Sequence, residues 1–417
     1  MQSRRLLKNT RSPGWDSPRD ILIEGGKIDR IGEGLNVEAE STIDLDGRAV
    51  VPGFVEAHTH IDKAYTLHLC NNAEGTLSGA IREMYKVKEN ATVDEIYGRA
   101  ETCLLNFISH GATTVRTHID VDHAIDLRGM EALVRLRDRY REKVTLQLVP
   151  LAQSAPGATD ESAYRKYLRE AVSMGADAIG GVPTLSVDKA AHIEIAFETA
   201  AEFNLPVDLH VDESDDPNHL VLEQLAEKTI AEGCQGRVVA GHCCSLAAVD
   251  NATAARVIDK VAEAGISVIT LPLCNLYLQG RGDAQPVRRG ITRVKELLEA
   301  GVNVFCASDN VQDAFGPYGR ADTLEAAWLT GLAAHLNESF RSTLLDMVTG
   351  RPAKALGFGD GYGLQEGAAA DLVVMASESP GTVVVERPER LLVFRSGRVV
   401  SAGAGAEVLG IDGPEVY

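Results

Sequence analysis

Several short apolar runs along the chain end in residue types that bind metals. His58 and His60 stand in Val-Glu-Ala-His-Thr-His, His210 in Leu-His-Val-Asp-Glu, His242 in Ala-Gly-His and Asp309 in Cys-Ala-Ser-Asp-Asn. Residues two apart in an extended segment point to the same side, so both imidazoles of the His-Thr-His segment can face one point. Parallel strands that bring such side chains around one point build a catalytic metal site. The pattern predicts a metal-dependent hydrolase.

The predicted ligand set favours one metal ion. Three imidazoles and one carboxylate form a mononuclear site with an open position for water, which suits one divalent ion, Zn²⁺ or Fe²⁺. Such an ion would lower the pKa of bound water from about 16 towards 7. A second metal needs a bridging ligand, and the fourth predicted strand, Ala-Ile-Gly-Gly-Val-Pro-Thr, offers no Lys, Glu or Cys to bridge.

Two further residue types at these strand ends could move protons. Glu213 lies three residues after His210 and could carry a proton, although Asp212, Asp215 and Asp216 make the same loop a candidate solvated acidic run. His242 has two open roles, as a metal ligand or as a base that orients the attacking water with Asp309. His118, in Thr-His-Ile-Asp, is predicted as a pocket residue rather than a ligand.

Composition excludes some partners and compartments. The 417 residues carry 41 Lys and Arg against 60 Asp and Glu, a formal charge of −19. Nucleic acid and anionic membrane surfaces are recognised by basic patches, so neither is expected as the main partner. The seven cysteines are scattered without a CxxC, which indicates neither a zinc ribbon nor a disulfide framework. The amino terminus has no signal-peptide pattern, and no segment has the length and apolar character of a membrane span. We expect a cytoplasmic enzyme that acts on a small molecule, and assembly into a homo-oligomer stays open.

Strand-like and helical patterns alternate through the middle of the chain. The predicted strands are Ala49–His58, Thr113–Ile119, Val144–Leu151, Asp177–Val182, Pro206–Val211, Arg237–His242, Ser267–Leu273 and Val302–Ser308. The helical patterns between them are Val93–Ser109, Asp160–Met174, Lys189–Phe203, His219–Glu232, Asp250–Glu263 and Val294–Leu298. Strand–helix alternation repeated eight times predicts an α/β fold, a (β/α)₈ TIM barrel.

The two ends of the chain carry a different pattern. Ile21–Gly32 predicts two short strands around Gly25-Gly26, and Asp371–Met375 with Leu391–Ser401 resembles that pair. The terminal segments could fold together into a small β-sandwich, or they could be separate β-decorations. We predict a β-sandwich domain from residues 1–50 and 360–417, and a metal-dependent barrel from residues 51–359.

These residues resemble a known family. Pro52–His60, His210 with Glu213, His242 and Asp309 are similar to the amidohydrolase superfamily, in particular the bacterial cytosine deaminase branch. The stretch that begins Asn-Leu-Tyr-Leu-Gln-Gly-Arg after the seventh predicted strand also resembles cytosine deaminases, and the similarity covers nearly the whole chain. The resemblance implies a barrel with a β-sandwich, one Fe²⁺ or Zn²⁺, and hydrolytic deamination of an aromatic ring amidine.

The resemblance also implies residue roles. The positions that match the metal ligands are His58, His60, His210 and Asp309. Glu213 matches the acid/base that shuttles protons, and His242 matches the residue that activates or orients the water. Gln153 matches the glutamine whose amide pairs with the carbonyl and N–H edge of the ring.

Departures from the cytosine deaminase pattern concern the substrate. Asn310 stands where those enzymes carry a second Asp, and Phe315 stands near the position of a Trp. Because an amide both donates and accepts hydrogen bonds, the preferred ring edge is expected to differ. Ala-Gln-Ser and Cys-Ala-Ser-Asp-Asn also resemble s-triazine enzymes that hydrolyse isopropylammelide, although Glu213 argues against simple transfer of that activity.

The sequence therefore predicts removal of the exocyclic amine from a cytosine-like heterocycle, with ammonia as the product. Two alternatives remain open. The same site could release an amine from an s-triazine or act on another cyclic amidine or amide, such as a pterin or creatinine. A non-catalytic relative would need a damaged site, yet every ligand position is filled.

Overall fold

The computed structural model describes residues 4–153 and 161–409. The outermost residues of the predicted terminal domain, 1–3 and 410–417, lie outside the described residues, as does Asp160 at the start of one predicted helix. Strands and helices alternate through the centre of the chain, and the fold class is α/β, as predicted. None of the helices in the described ranges combines the length and apolar character needed to cross a bilayer.

The central strands form two parallel sheets. Strands β6 (Phe54–Thr59), β7 (Ala112–Val121) and β8 (Thr145–Ala152) make the first. The second contains β9 (Val207–Val211), β10 (Val238–His242), β11 (Ser267–Thr270) and β12 (Val304–Cys306). The two sheets also meet beyond β12, where the backbone N–H of Asp309 donates a hydrogen bond to the carbonyl of His58 at 2.9 Å. Side chains at the carboxyl ends of β6 and β12 are therefore neighbours.

The predicted fourth strand, Asp177–Val182, is not a strand in the structure. It forms an isolated parallel bridge between Ile179 and Val207, and the N–H of Asp177 donates to the carbonyl of Leu148 at 2.8 Å. Its Gly180 lies so close to β8 that an added Cβ would be 2.3 Å from the carbonyl oxygen of Pro150. This segment bonds to both neighbouring sheets but is too irregular for a continuous ladder.

The first predicted strand, Ala49–His58, is divided in the structure at Gly53. Residues before it form β5 (Val50–Pro52), and residues after it begin β6. A Cβ at Gly53 would lie 2.3 Å from the Thr113 side chain, so the close approach of the backbone requires glycine. The division sends one half of the predicted strand to a terminal sheet and the other half to the strand that carries His58.

The terminal segments form two four-stranded sheets. In the first, the strand order is β3-β2-β1-β4, with bounds Arg4–Thr10 (β1), Arg19–Glu24 (β2), Lys27–Gly32 (β3) and Ser41–Asp44 (β4). In the second, the order is β15-β14-β13-β5, with bounds Leu372–Met375 (β13), Arg390–Arg395 (β14) and Arg398–Ala402 (β15). Side chains of both ends, among them Leu7, Ile21, Leu372 and Phe394, share one apolar cluster. Burial of this shared apolar surface holds the two ends of the chain together.

Helices cover the central strands and follow the predicted alternation. The α-helices are α1 (Leu77–Asn90), α2 (Val93–Ser109), α3 (Arg128–Tyr140), α4 (Ser162–Ser173), α5 (Lys189–Phe203), α6 (Leu222–Ala231), α7 (Asn251–Glu263), α8 (Pro272–Leu278), α9 (Val294–Glu299), α10 (Thr323–Ala333), α11 (Arg341–Asp346), α12 (Gly350–Ala355) and α13 (Val383–Glu386). Short 3₁₀ turns span Pro183–Leu185, Cys244–Ala247, Glu338–Phe340, Gly359–Gly361, Pro380–Thr382 and Ala404–Leu409. The predicted helices include neither α1, which follows the loop after β6, nor α3, which lies between β7 and β8.

Candidate active site

The carboxyl ends of the central strands bring the predicted metal ligands together. His58 lies in β6, His60 directly after it, His210 in β9, and Asp309 just beyond β12. The backbone of Asp309 adopts a left-handed conformation with φ of 62°. This conformation is uncommon for a residue with a side chain, and the neighbouring strand stabilises it. Thr59 Oγ1 donates a hydrogen bond to the Asp309 carbonyl at 2.7 Å.

A buried carboxylate also supports the segment before Asp309. Glu56 in β6 accepts hydrogen bonds from the Ser308 N–H at 2.9 Å and from the Ser308 hydroxyl at 2.7 Å. Thr323 Oγ1, at the start of α10, donates to the same carboxylate at 3.0 Å. Glu56 therefore fixes the approach of the aspartate to the histidine-bearing strand.

The four predicted ligand side chains have the spacing of a tetrahedral metal site. Nε2 of His210 lies 3.1 Å from Nε2 of His58 and 3.2 Å from Nε2 of His60. Oδ1 of Asp309 lies 3.3 Å from Nε2 of His60 and 3.7 Å from Nε2 of His58. Metal–ligand bonds of about 2.0–2.1 Å give tetrahedral edges of about 3.3–3.4 Å. The observed distances, from 3.1 to 3.7 Å, extend to both sides of this range.

Protonation states in the cluster also fit a divalent cation. Burial is the main cause that lowers the pKa of His58, His60 and His210 well below its usual value, so the three imidazoles are neutral. Nδ1 of His60 is 3.1 Å from the carbonyl of His118, which can only accept, so this nitrogen carries the proton and Nε2 presents a lone pair. Oδ1 of Asp309 is buried and has no hydrogen-bond partner among the described residues. A cation at the centre would satisfy all of these atoms.

The side chains of Glu213 and His242 lie beside the His/Asp cluster. Oε1 of Glu213 lies 3.6 Å from Nδ1 of His242, which in turn lies 4.0 Å from Oδ2 of Asp309. Burial, followed by the charge of Asp309, raises the pKa of Glu213 well above its usual value, while Lys63 opposes this effect. Burial lowers the pKa of His242 to about 3. The histidine is therefore uncharged at neutral pH, and the raised pKa of Glu213 favours a protonated carboxyl group that can donate its proton.

The acidic neighbours of Glu213 have structural partners instead. Asp212 accepts hydrogen bonds from the backbone N–H groups of Val221 and Leu222 at the start of α6, at 2.8 and 2.9 Å. Asp215 accepts from the Gly280 N–H at 2.7 Å, and Asp216 bonds within its own turn. Of the four acidic residues in this loop, Glu213 is the one that lines the cavity.

The other predicted site residues have different surroundings. Gln153 lies directly after β8 and contributes to the cavity wall. The cavity has a volume of about 550 Å³ including its open mouth.

His118 is fully buried behind His58, with ring centroids 4.0 Å apart, and its Nε2 lies 3.3 Å from Oδ1 of Asp208. The structure thus places His118 against the back of His58, a predicted metal ligand, and the His118 side chain is not among those of the cavity wall.

Asn310 and Phe315 line the cavity on a loop organised by Asp313. The Asn310 amide donates to Asp313 Oδ2 at 2.6 Å, and the backbone N–H of Phe315 donates to Asp313 Oδ1 at 2.9 Å. Because one amide hydrogen of Asn310 is held by Asp313, the orientation of its amide group is fixed. Burial raises the pKa of Asp313 to about 6, against the hydrogen bonds that lower it.

Sequence reasoning did not identify Asn275 as a site residue. Its Nδ2 donates a hydrogen bond to Glu213 Oε1 at 3.4 Å and lies 3.1 Å from Nδ1 of His242. Asn275 therefore connects Glu213 and His242, the two side chains beside the His/Asp cluster. A sequence signal existed, because Asn275 is the first residue of the Asn-Leu-Tyr-Leu segment that carries part of the family resemblance.

One face of α1 forms an outer wall that the sequence did not indicate. Leu77, Ile81, Met84, Tyr85 and Lys88 all line the cavity, and their spacing places them along one side of the helix. The helix packs on Ala314 and Phe315 through an apolar cluster separate from the main core. The cavity thus has a polar floor at the metal ligands and a largely apolar outer wall.

Comparison with protein-family models matches the chain to one family. The amidohydrolase family model matches residues 41–143 and 94–401, two overlapping ranges that together span most of the chain.

Relatives of known activity are similar over nearly their full length. The chain is 33% identical over 384 residues to a pterin deaminase of Rhizobium rhizogenes (strain K84), covering 91% of this chain and 87% of that protein. It is 30% identical over 403 residues to the N-isopropylammelide isopropyl amidohydrolase of Pseudomonas sp. (strain ADP), covering 95% and 96%. The crystal structure of 5-methylcytosine deaminase from Klebsiella pneumoniae liganded with 5-fluorocytosine superposes with a TM-score of 0.90 at 31% identity, covering 95% and 97%.

Proposed function

From the premise that the chain belongs to the amidohydrolase family, we propose that it removes the exocyclic amine of a cytosine-like nitrogen heterocycle by hydrolysis, releasing ammonia. The predicted membership of the superfamily and resemblance to the cytosine deaminase branch are confirmed, and the chain is a hydrolase of C–N bonds in cyclic amidines. The observation that carries the proposal is the position of Glu213, with its raised pKa, beside His242 and the His/Asp cluster.

The residues of the site support specific roles in this reaction. A divalent metal held by His58, His60, His210 and Asp309 would supply the Lewis acidity that makes water nucleophilic at neutral pH. Asp309 Oδ2 and His242 Nδ1, 4.0 Å apart, can both contact a water molecule between them and orient it towards the amine-bearing ring carbon.

Glu213 supplies the protons that the bond changes require. As the water oxygen bonds to the ring carbon, Glu213 gives its proton to the adjacent ring nitrogen and prevents negative charge from building up there. The carboxylate then takes a proton from the added water and passes it to the exocyclic amine. The C–N bond breaks and ammonia leaves, and a ring carbonyl forms as the remaining hydroxyl proton returns to Glu213. A carboxyl group with a raised pKa can act in both directions near neutral pH.

Metal identity and fold details are part of the same proposal. Three imidazole nitrogens and one carboxylate oxygen suit Zn²⁺ or Fe²⁺, and one ion is sufficient for this ligand set.

We infer that the parallel strands and the irregular segment at residues 177–182 together form a (β/α)₈ barrel. We also infer a barrel domain at residues 51–359 and a β-sandwich domain from the two ends, residues 1–50 and 360–417.

A substituted or bicyclic ring amine is the second candidate substrate class. The similar proteins are named for a pterin, for N-isopropylammelide and for 5-methylcytosine, which are rings of different size and substitution. The apolar face of α1 supports a substrate whose ring extends beyond the reacting end. Removal of an alkylamine from an s-triazine, or reaction at a pterin or creatinine, would use the same floor of the cavity.

A substrate panel tests the proposal. Metal-loaded protein is incubated with cytosine, isocytosine, 5-methylcytosine, creatinine, pterins, ammeline and N-alkyl triazines, and both ammonia and alkylamines are measured. We expect ammonia from at least one ring amine, and release at least roughly 100-fold slower from the same reaction with Glu213→Gln. Release of an alkylamine alone would support the triazine alternative, and absence of both products from every ring would contradict the proposal.

A further inference from the structure

Lys63 is a buried cation in the cavity wall to which the proposed reaction assigns no role. It is the third residue after His60, and its backbone N–H donates to the His60 carbonyl at 3.3 Å, which holds a tight turn after β6. The side chain is 6% exposed and lines the cavity together with Asp309, Asn310 and Phe315. The turn therefore positions an ammonium group close to the metal cluster.

A network of buried charges holds this ammonium in place. Nζ of Lys63 donates to Asp120 Oδ1 at 2.6 Å, and Nζ of Lys88 in α1 lies 2.6 Å from Asp120 Oδ2 and 2.8 Å from Asp122 Oδ2. Burial alone would lower the pKa of Lys63, but Asp120 and Asp62 outweigh that effect and raise it. Lys63 thus stays protonated at neutral pH in a fixed position.

The two lysines of the network differ in their unused donors. An ammonium group has three N–H donors. In the part of the chain that the structure describes, Lys63 Nζ is hydrogen-bonded to one carboxylate, whereas Lys88 Nζ contacts two. Lys63 Nζ also lies 5.5 Å from the centre of the Phe315 ring, a residue that itself lines the cavity. Lys63 Nζ can therefore still donate a hydrogen bond to a substrate ring in the cavity.

The charges around Lys63 favour a neutral acceptor over an anion. The positive charges of Lys63 and Lys88 are balanced by the carboxylates of Asp120 and Asp122. Glu213 and Asp309 line the same cavity, so a carboxylate on the substrate would meet acidic groups as well as the ammonium. A carbonyl oxygen carries partial negative charge, needs no counter-ion, and accepts a strong hydrogen bond from an ammonium group.

We propose, on the basis of the deaminase function inferred above, that Lys63 contacts the substrate and donates a hydrogen bond to a carbonyl oxygen of the ring. That oxygen is conjugated with the amine-bearing carbon, so it gains negative charge while water adds to the ring. A preorganised donor at this position stabilises the charge as it develops. The preferred substrate class is then an oxo-substituted ring amine, because a ring without the oxygen leaves a buried N–H donor without its acceptor.

Paired substrates test this contact. Activity is measured on cytosine against 4-aminopyrimidine, and on pterin against 2-aminopteridine, where the second ring of each pair lacks the carbonyl oxygen. We expect Lys63→Met to lower kcat/KM for the oxo rings roughly 10- to 100-fold, the range of a hydrogen bond to a charged group. The loss for the ring without oxygen should be much smaller, and Lys63→Arg should restore part of the discrimination. Equal losses within both pairs would overturn the proposal.

Matched controls separate this contact from a structural role. Lys88→Met removes the other ammonium of the network and is expected to affect both members of each pair by the same factor. Metal content and Tm are measured for every variant, because a loss of either would affect all substrates equally.

Equilibrium binding separates the Lys63 contact from the proposed reaction. The same ring pairs are titrated by calorimetry into metal-loaded Glu213→Gln, with and without Lys63→Met. If no ring amine releases ammonia but Lys63→Met still weakens binding of the oxo ring selectively, the reaction is wrong and the Lys63 contact stands. If ammonia is released and binding is weakened equally within each pair, the Lys63 contact is wrong and the reaction stands. Absence of binding by every oxo ring would overturn the Lys63 contact.

Discussion

The Nε2 atoms of His58 and His210 lie 3.1 Å apart, although 152 positions separate the two residues in the chain. Both imidazoles are buried, and burial lowers the pKa of each well below its usual value. The two neutral rings therefore face each other through their Nε2 atoms. His60 and the Asp309 carboxylate lie at similar distances, so a metal ion between the four groups would bind all of them.

Loss of one of these ligands should remove the metal. His210→Ala is expected to fold but to contain far less than one equivalent of metal, measured by inductively coupled plasma mass spectrometry. His192→Gln is the control, because His192 is equally buried but stacks on Tyr164, 3.7 Å away, outside the site. The control should keep its metal. A full metal equivalent in His210→Ala would show that His210 is not a ligand.

Glu213→Gln should keep its metal and lose most of its turnover. The amide cannot pass protons between water, ring nitrogen and amine, and loss of a positioned acid/base costs typically 10²–10⁴-fold in rate. Asp216→Asn is the matched control, since Asp216 is an exposed acidic residue of the same loop. Its kcat should match that of the unmodified protein. Near-normal kcat in Glu213→Gln would reject the acid/base role.

Asn275→Ala should lower kcat more than it raises KM. Asn275 bonds to both Glu213 and His242, so its loss lets both side chains move from their aligned positions without changing the metal ligands. A decrease of roughly 10- to 30-fold is expected from the loss of two hydrogen bonds worth about 1 kcal/mol each. The pH profile of kcat should shift as well, because the surroundings of Glu213 change. An unchanged profile with normal kcat would indicate that Asn275 only fills space.

Asp313 should make the metal-free protein less stable as the pH rises. Its folded-state pKa is raised to about 6 from a usual 3.8, mainly by burial. A raised pKa means that its contribution to stability is fully present below the unfolded value and is lost as the pH rises through the folded value. The free energy of unfolding is compared with that of Asp313→Asn in chelator, which keeps the charge of a bound metal from affecting the titration.

The difference between the two proteins should move in favour of Asp313→Asn between pH 4 and pH 7, by no more than roughly 3 kcal/mol. A constant difference over this range would show that the native state does not disfavour the charged form of Asp313. A change of opposite sign would show that its hydrogen bonds to Asn310, Phe315 and Gly316 outweigh burial.

The predictable part of the structure is local in sequence. His58, His210 and His242 each end a short apolar run, so their place at the carboxyl ends of strands follows from pattern alone. The turn at Gly25-Gly26 between β2 and β3 is equally local. Seven of the eight predicted central strands formed, although the first is divided at Gly53 between two sheets and the bounds of the others differ by a few residues.

The unpredicted part depends on contacts between distant segments. The apolar run at Asp177–Val182 predicts a strand, yet it forms only an isolated bridge to Val207, and the close approach of Gly180 to Pro150 is visible only in the fold. The ion pairs of Lys63 and Lys88 with Asp120 join three separate segments. The place of α1 over the cavity depends on the loop that carries Phe315, far along the chain.

Oxygen transfer from solvent tests the central claim most directly. The fastest ring amine of the panel is converted by metal-loaded protein in ¹⁸O-labelled water, and the ring product and ammonia are quantified together. Hydrolytic deamination predicts one ¹⁸O atom in the new ring carbonyl for each molecule of ammonia released. Ammonia without ¹⁸O in the ring, or a ring product without ammonia, would contradict it.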